Sequence, residues 1–225
     1  MKRVLGAVAI TAGVLVGMSA CLPIGDDQEH RTLSYGVADR ITELVVEGEN
    51  GGVEVTGGGD TVHVVEKQNY KGAEPKSTHD VKDGVLRLTY DYCDSCGIGY
   101  TVRVPAGTRV RVKQTNGGIK LNGLAGDAEA RVENGGVEAS GLTSAQVKLT
   151  AVNGGVRADF AAAPSKVEAA TSNGGVRVTV PSGEAYAVDA KASVGGVDVG
   201  IPSQPGAAHS ITARAETGGV TVSGA

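Results

Sequence analysis

The sequence predicts an all-β protein, a repetitive β-solenoid of the β-helix or β-roll kind with an N-terminal β cap. Three observations carry this expectation. The first is a Gly-Gly pair followed by a β-branched residue, written seven times: Gly51-Gly52-Val53, Gly117-Gly118-Ile119, Gly135-Gly136-Val137, Gly154-Gly155-Val156, Gly174-Gly175-Val176, Gly195-Gly196-Val197 and Gly218-Gly219-Val220. The second is spacing. The first glycines of the last six copies lie 18, 19, 20, 21 and 23 residues apart, the range in which periodicity marks a stacked repeat. The third is composition: 35 glycines, one Phe and no Trp, with Val, Ala, Ile and Leu as the apolar stock, suit thin stacked sheets better than a deep globular core. One such unit cannot bury its apolar face alone, so neighbouring units must stack.

Residues 1–20 read as an export signal, with Lys2 and Arg3 ahead of an apolar run from Val4 to Val16. That run is too short to span a bilayer. It leads into Met18-Ser19-Ala20-Cys21, which resembles the lipobox of bacterial lipoproteins, with Met where Leu is usual. The resemblance implies lipidation of Cys21, cleavage before it, and a mature chain held by two acyl chains at the extracytoplasmic face of the bacterial cell membrane. Residues 21–32 are polar and aperiodic, the pattern of a short tether.

Residues 33–225 form the domain. Within it, residues 33–105 are expected to act as a cap, because terminal units of repeat arrays close an otherwise open sheet edge. The cap contains one early corner at Asn50-Gly51-Gly52 and strand-like runs at Thr61 to Val65, Val85 to Tyr92 and Tyr100 to Val104. Cys93 and Cys96 lie between the last two runs. In an exported protein such a pair points to a disulfide. A thiol-redox motif would need a strand-to-helix setting, and zinc would need two further ligands, which His63 or His79 could supply only by coincidence of folding.

Residues 106–225 are the regular repeats. In Val110 to Leu124 apolar and polar residues alternate on both sides of the glycines, the period of half-buried strands. Asn precedes the glycines at Asn50, Asn116, Asn134, Asn153 and Asn173, giving way to Val194 and Thr217 in the last two copies. Asn and Gly both tolerate left-handed backbone angles, so Asn-Gly-Gly reads as a structural corner. Stacked in register, Asn116, Asn134, Asn153 and Asn173 should form a hydrogen-bonded ladder with a step of ~4.8 Å. Six coils would give a rod of roughly 25 to 30 Å. Length varies only at the opposite edge, as in Leu142 to Ala145 and Pro202 to Gly206, which makes that edge the expected partner surface. The alternative fold is an antiparallel meander or sandwich in which each Asn-Gly closes a hairpin.

Candidate chemistry is sparse. Removing Lys2 and Arg3 with the leader takes the formal charge from −4 to −6, without a basic block, so nucleic acid is not an expected partner. His30, His63, His79 and His209 are scattered, and no nucleophile elbow, zinc-protease helix or phosphate loop is present. Gly57-Gly58-Gly59-Asp60 resembles a calcium-binding glycine repeat but occurs once, so it reads as a turn. No metal, no cofactor and no enzymatic activity are expected.

Together the Asn-Gly-Gly-Val corners, the Val104-Pro105-Ala106-Gly107-Thr108 entry and the Gly-Leu pairs at 123 to 124 and 141 to 142 resemble a bacterial family. It is the family of adhesin-like β-strand-repeat domains of unknown function found on exported envelope proteins. The resemblance runs from about Ile41 to the end. It implies a non-catalytic, lipid-anchored envelope protein that presents a rigid solenoid to a cell-wall component or an envelope protein. An envelope-stress sensor domain is the second reading. A polysaccharide-acting solenoid enzyme is third, and it would need clustered acids or bases on one sheet face, where this chain mixes Lys, Arg, Glu, Asp, Thr and Ser.

Overall fold

The computed structural model describes residues 28–90 and 94–225. Its unit is a coil of two strands. The first strand lies in a nine-stranded sheet, a corner turns the chain, and the second strand lies in a ten-stranded sheet. In chain order the coils are β2 (Glu43–Asn50) with β3 (Val53–Thr56), β6 (Val85–Tyr90) with β7 (Cys96–Arg103), β8 (Arg109–Asn116) with β9 (Ile119–Asn122), and β10 (Ala128–Asn134) with β11 (Val137–Leu142). Then come β12 (Gln146–Asn153) with β13 (Val156–Phe160), β14 (Lys166–Asn173) with β15 (Val176–Val180), β16 (Tyr186–Val194) with β17 (Val197–Val199), and β18 (His209–Thr217) with β19 (Val220–Gly224). Outside this scheme stand β1 (Glu29–Val37), β4 (Val62–Tyr70) and β5 (Ser77–Lys82).

Like strands of neighbouring coils pair in parallel, while antiparallel pairing is confined to β1 with β4, β4 with β7, and β5 with β6. The corners therefore do not close hairpins. Each one carries the chain from one sheet to the other, so the meander alternative gives way to a solenoid-like stack. Parallel pairing also explains the near-constant repeat length, because a coil must travel out and back before its next strand reaches register.

Alternation along each strand sends one set of side chains between the sheets. Val110 and Val112 of β8, Ala128, Ala130 and Val132 of β10, and Val147, Leu149 and Ala151 of β12 are all buried, as are Ile119, Leu121, Val137, Ala139, Val156 and Ala158 from the facing sheet. They belong to one continuous core. Each fully buried Val, Leu or Ile contributes roughly 1.5–3 kcal/mol, so stability accumulates coil by coil. Gln114 interrupts the apolar column at β8. It occupies space that opposite Gly48 leaves open, and its Nε2 donates to the carbonyls of Gly51 at 2.7 Å and Asn116 at 3.1 Å.

The stacking order departs from chain order at both ends. Along the nine-stranded sheet it runs β16, β18, β14, β12, β10, β8, β2, β6, β5. At the C-terminal end the chain overshoots to build the outer coil β16–β17 and then returns to fill the slot beneath it with β18–β19. At the N-terminal end it lays down β2–β3 first, adds β6–β7 outside that coil, and passes back over it to begin β8. Residues 106–225 supply the six coils expected and residues 33–105 add two more, and ten strands spaced ~4.8 Å apart make the longer sheet roughly 43 Å across. At the other end β1 starts at Glu29, inside the stretch read as tether, and β2–β3 is an inner coil of the stack although it lies in the segment read as cap.

Candidate binding surface

The corners are the most regular part of the molecule. The first glycine of every pair has a positive φ, between 127° at Gly117 and 151° at Gly174. A Cβ on Gly117, Gly135, Gly154 or Gly174 would drive into the carbonyl of the matching glycine on the adjacent coil. Conformation and close approach thus both demand glycine. The second glycines have no such constraint: a Cβ on Gly118 would meet its nearest atom, the Gly136 carbonyl oxygen, at 3.8 Å.

Beside the glycines the asparagine ladder forms as expected and is one rung longer. Asn173 Nδ2 donates to Asn153 Oδ1 at 2.9 Å, Asn153 to Asn134 at 2.9 Å, Asn134 to Asn116 at 3.0 Å, and Asn116 to Asn50 at 2.9 Å. Asn50 then donates to the Cys96 carbonyl at 3.3 Å. Thr217 and Val194 continue the column as its outermost members.

On the outer face of the ten-stranded sheet Gly118, Gly136, Gly155, Gly175 and Gly219 line a groove of about 720 Å³. Lys120, Glu138, Arg157, Arg177 and Thr221 line it as well, and register places them side by side in that order. Lys120 and Glu138 are complementary neighbours, but Arg157 stands directly against Arg177, a like-charge contact that costs stability in a free sheet. Arg157 donates from Nε to Asp159 at 2.8 Å, and this hydrogen bond holds its guanidinium above the ordinary pKa. The groove lies beside the fixed corner, not on the variable edge where the sequence placed the partner surface.

The outer face of the nine-stranded sheet carries more ion pairs between neighbouring coils, beside a like-charge register pair of its own, Lys113 with Arg131. Glu43 reaches Arg111 at 3.1 Å and Arg109 at 3.7 Å, Arg111 reaches Glu129 at 3.4 Å, and Lys166 reaches Glu168 at 2.7 Å. The hydrogen bond from Lys166 lowers the Glu168 pKa, and that from Arg214 lowers the Asp189 pKa. Such exposed pairs add little stability each.

The capped end holds a buried polar cluster that the sequence did not reveal. Glu66 and Gln68 of β4 are both 1 % exposed. Tyr35 donates its hydroxyl to Glu66 Oε1, and Gln68 Nε2 lies 3.4 Å from Glu66 Oε2. The Tyr100 hydroxyl is buried nearby without a hydrogen-bond partner. Burial raises the Tyr35 and Tyr100 pKa values, and Glu66 reinforces both shifts. In Glu66 and Gln68 the only sequence signal was polar residues at alternating, core-facing positions of a strand.

The histidines do not converge. His30 Nδ1 lies 2.6 Å from Asn69, His63 Nε2 lies 3.3 Å from Ser34, His79 stacks at 4.8 Å on Tyr35, and His209 Nδ1 lies 2.8 Å from the Pro164 carbonyl. Cys96 opens β7, the second strand of the coil β6–β7. Cys93 and Cys21 lie outside the described residues.

Corner, ladder and parallel pairing define the class: a β-solenoid-like repeat domain. The chain belongs to the Toastrack DUF4097 family, whose model matches residues 39–223. Among solved structures it is similar to a putative adhesin from Bacteroides fragilis, at 16% identity and a TM-score of 0.51 over 88% of this chain and 97% of that one. It is also similar to a putative cell adhesion protein from Clostridium sporogenes, at 13% identity and a TM-score of 0.45 over 88% of this chain and 100% of that one. A putative lipid binding protein from Parabacteroides distasonis aligns at 9% identity and a TM-score of 0.35, over 88% and 97% of the two chains. No curated protein matches the sequence.

Proposed function

We propose that this is a non-catalytic, lipid-anchored protein of the bacterial cell envelope, attached through Cys21 at the extracytoplasmic face and presenting its solenoid as an adhesin-like binding domain. The observation that carries the reading is the open groove on the ten-stranded sheet, where Arg157 and Arg177 stand together over a glycine floor. A like-charge pair kept on an exposed face favours an anionic or polar polymer of the cell wall, or an acidic protein segment, as ligand. The fold shared with the Bacteroides fragilis protein is consistent with this role. The position of β1 at the edge of its sheet supports it too, because a lipid on Cys21 would lie only a few residues ahead of that edge.

We also propose a Cys93–Cys96 disulfide, which would tie the chain at the start of β7. The close spacing of the two cysteines supports it. Mass mapping of the non-reduced protein should find the two cysteines in one linked peptide, and free thiols at both positions would refute the bridge.

Two measurements test the reading. Labelled palmitate should enter the wild-type protein and not Cys21→Ala; equal labelling would remove the anchor. The full-length protein should be retained by isolated cell-wall material, and Arg157→Glu with Arg177→Glu should reduce retention at least tenfold at low salt. Retention unaffected by charge reversal would remove the groove from the function.

A further inference from the structure

The large apolar side chains that stand exposed among the described residues all sit at one end of the molecule: Val194 is 65 % exposed, Val197 45 % and Val199 38 %. They belong to β16 and β17, the outermost strands of the two sheets at that end. Half of the β16 edge is already covered. Ser203 bridges to Tyr186 and its Oγ accepts from Val188 N at 3.0 Å, while Gln204 N donates to the Tyr186 carbonyl at 2.8 Å. What stays open is the stretch from Asp189 to Val194, together with β17.

We propose that this end is a homodimer interface, in which the open half of β16 pairs antiparallel with β17 of a second copy and the reciprocal pair forms across a two-fold axis. The two strands of a coil run in opposite directions, so a two-fold axis along the strands brings β16 of one copy against β17 of the other with the required polarity. With the corners aligned, Val194 faces Val197 of the second copy and Ala192 faces Val199. All three exposed valines are then covered. On the outer face Ser193 falls opposite Asp198 of the second copy and can donate to its carboxylate, while Lys191 is that carboxylate's diagonal neighbour, within reach of a long side chain.

The competing arrangements fail on charge. A two-fold axis perpendicular to the sheets pairs β17 with itself and sets Asp198 against Asp198. Head-to-tail stacking would bring the valines onto the opposite end, where β1 presents exposed Glu29, His30, Arg31 and Thr32. An open edge carrying exposed valines invites pairing, and a closed dimer satisfies it without propagating a fibre.

Cross-linking in the membrane tests the geometry. Full-length Ser193→Cys and Asp198→Cys chains with different tags, produced together, should give a reducible dimer carrying both tags, at least tenfold above either variant alone. Placing Val197→Glu or Val194→Lys in both chains should abolish the product while leaving thermal unfolding unchanged. Absence of the mixed dimer overturns the proposal, and equally efficient self-linking of Asp198→Cys overturns this register.

Discussion

At the scale of single residues, the two glycines of a corner look alike in the sequence but carry different constraints. Gly117 has φ 127° and lies against the Gly51 carbonyl, whereas Gly118 has room for a methyl group. Gly117→Ala should therefore cost ~3 kcal/mol or more through strain and steric overlap. Gly118→Ala should stay within about 1 kcal/mol of wild type. Chemical denaturation of the pair checks this, and equal losses would contradict the stacking geometry. The tyrosines of the capped end give a second contrast. Tyr100→Phe removes a buried hydroxyl that has no partner, so it should be neutral or stabilising by about 1 kcal/mol. Tyr35→Phe strips a donor from buried Glu66 and should destabilise by ~1.5–3 kcal/mol. Because folding raises both phenol pKa values above the ordinary 10.0, their contribution is complete below that pH. It is lost as the pH climbs beyond 10.0 toward the folded values, when the unfolded chain sheds protons that the folded one keeps. Stability measured from pH 9 upward should fall less steeply in Tyr100→Phe than in wild type.

At the scale of elements, the strands and corners were legible because alternation and Asn-Gly-Gly each have a local physical cause. The ladder was legible too, except for its fifth rung. Asn50 precedes Asn116 by 66 residues, and only the folded order of β2 beside β8 shows that the two amides meet at 2.9 Å. The groove also has a signal, one that the variable-edge expectation passes over: Lys120, Glu138, Arg157 and Arg177 each follow a Gly-Gly-Ile or Gly-Gly-Val triplet, so the stacking that predicts the ladder also sets them side by side. Asn134 both donates and accepts within the ladder, so Asn134→Ala breaks two hydrogen bonds and should cost roughly 1–3 kcal/mol. Asn173 donates to one asparagine only, and Asn173→Ala should cost about half as much. Thermal unfolding of the two variants side by side distinguishes a cooperative ladder from five independent side chains.

At the scale of the whole molecule, the order of the coils was hidden for a different reason. A period tells that units stack, not which unit lies next to which. The longest interval between regular corners, 23 residues before Gly218, now has an explanation: the chain needs extra length to return from the outer coil to the slot beneath it. The outer strands β16 and β17 pair with β18 and β19 alone among the described coils. Loosening the inner coil should therefore release the outer one as well. Ala213, fully buried in β18, is the place to do it. Ala213→Asp should abolish amide protection across β16 to β19 together while β8 to β13 stay protected, as hydrogen exchange would read. Persistent protection of β16 would contradict the interlocked order.

That interlocking also limits how such a chain can change its length in evolution. Each end is an overshoot and return, so a further copy added to the chain there would have to cross a coil already in position before finding a place. A copy inserted among β8 to β15, where chain order and spatial order agree, disturbs neither end and lengthens the stack by a single step of ~4.8 Å. Growth is possible only from the middle, and the nearly identical corners at Gly117, Gly135, Gly154 and Gly174 are what such duplication would leave behind.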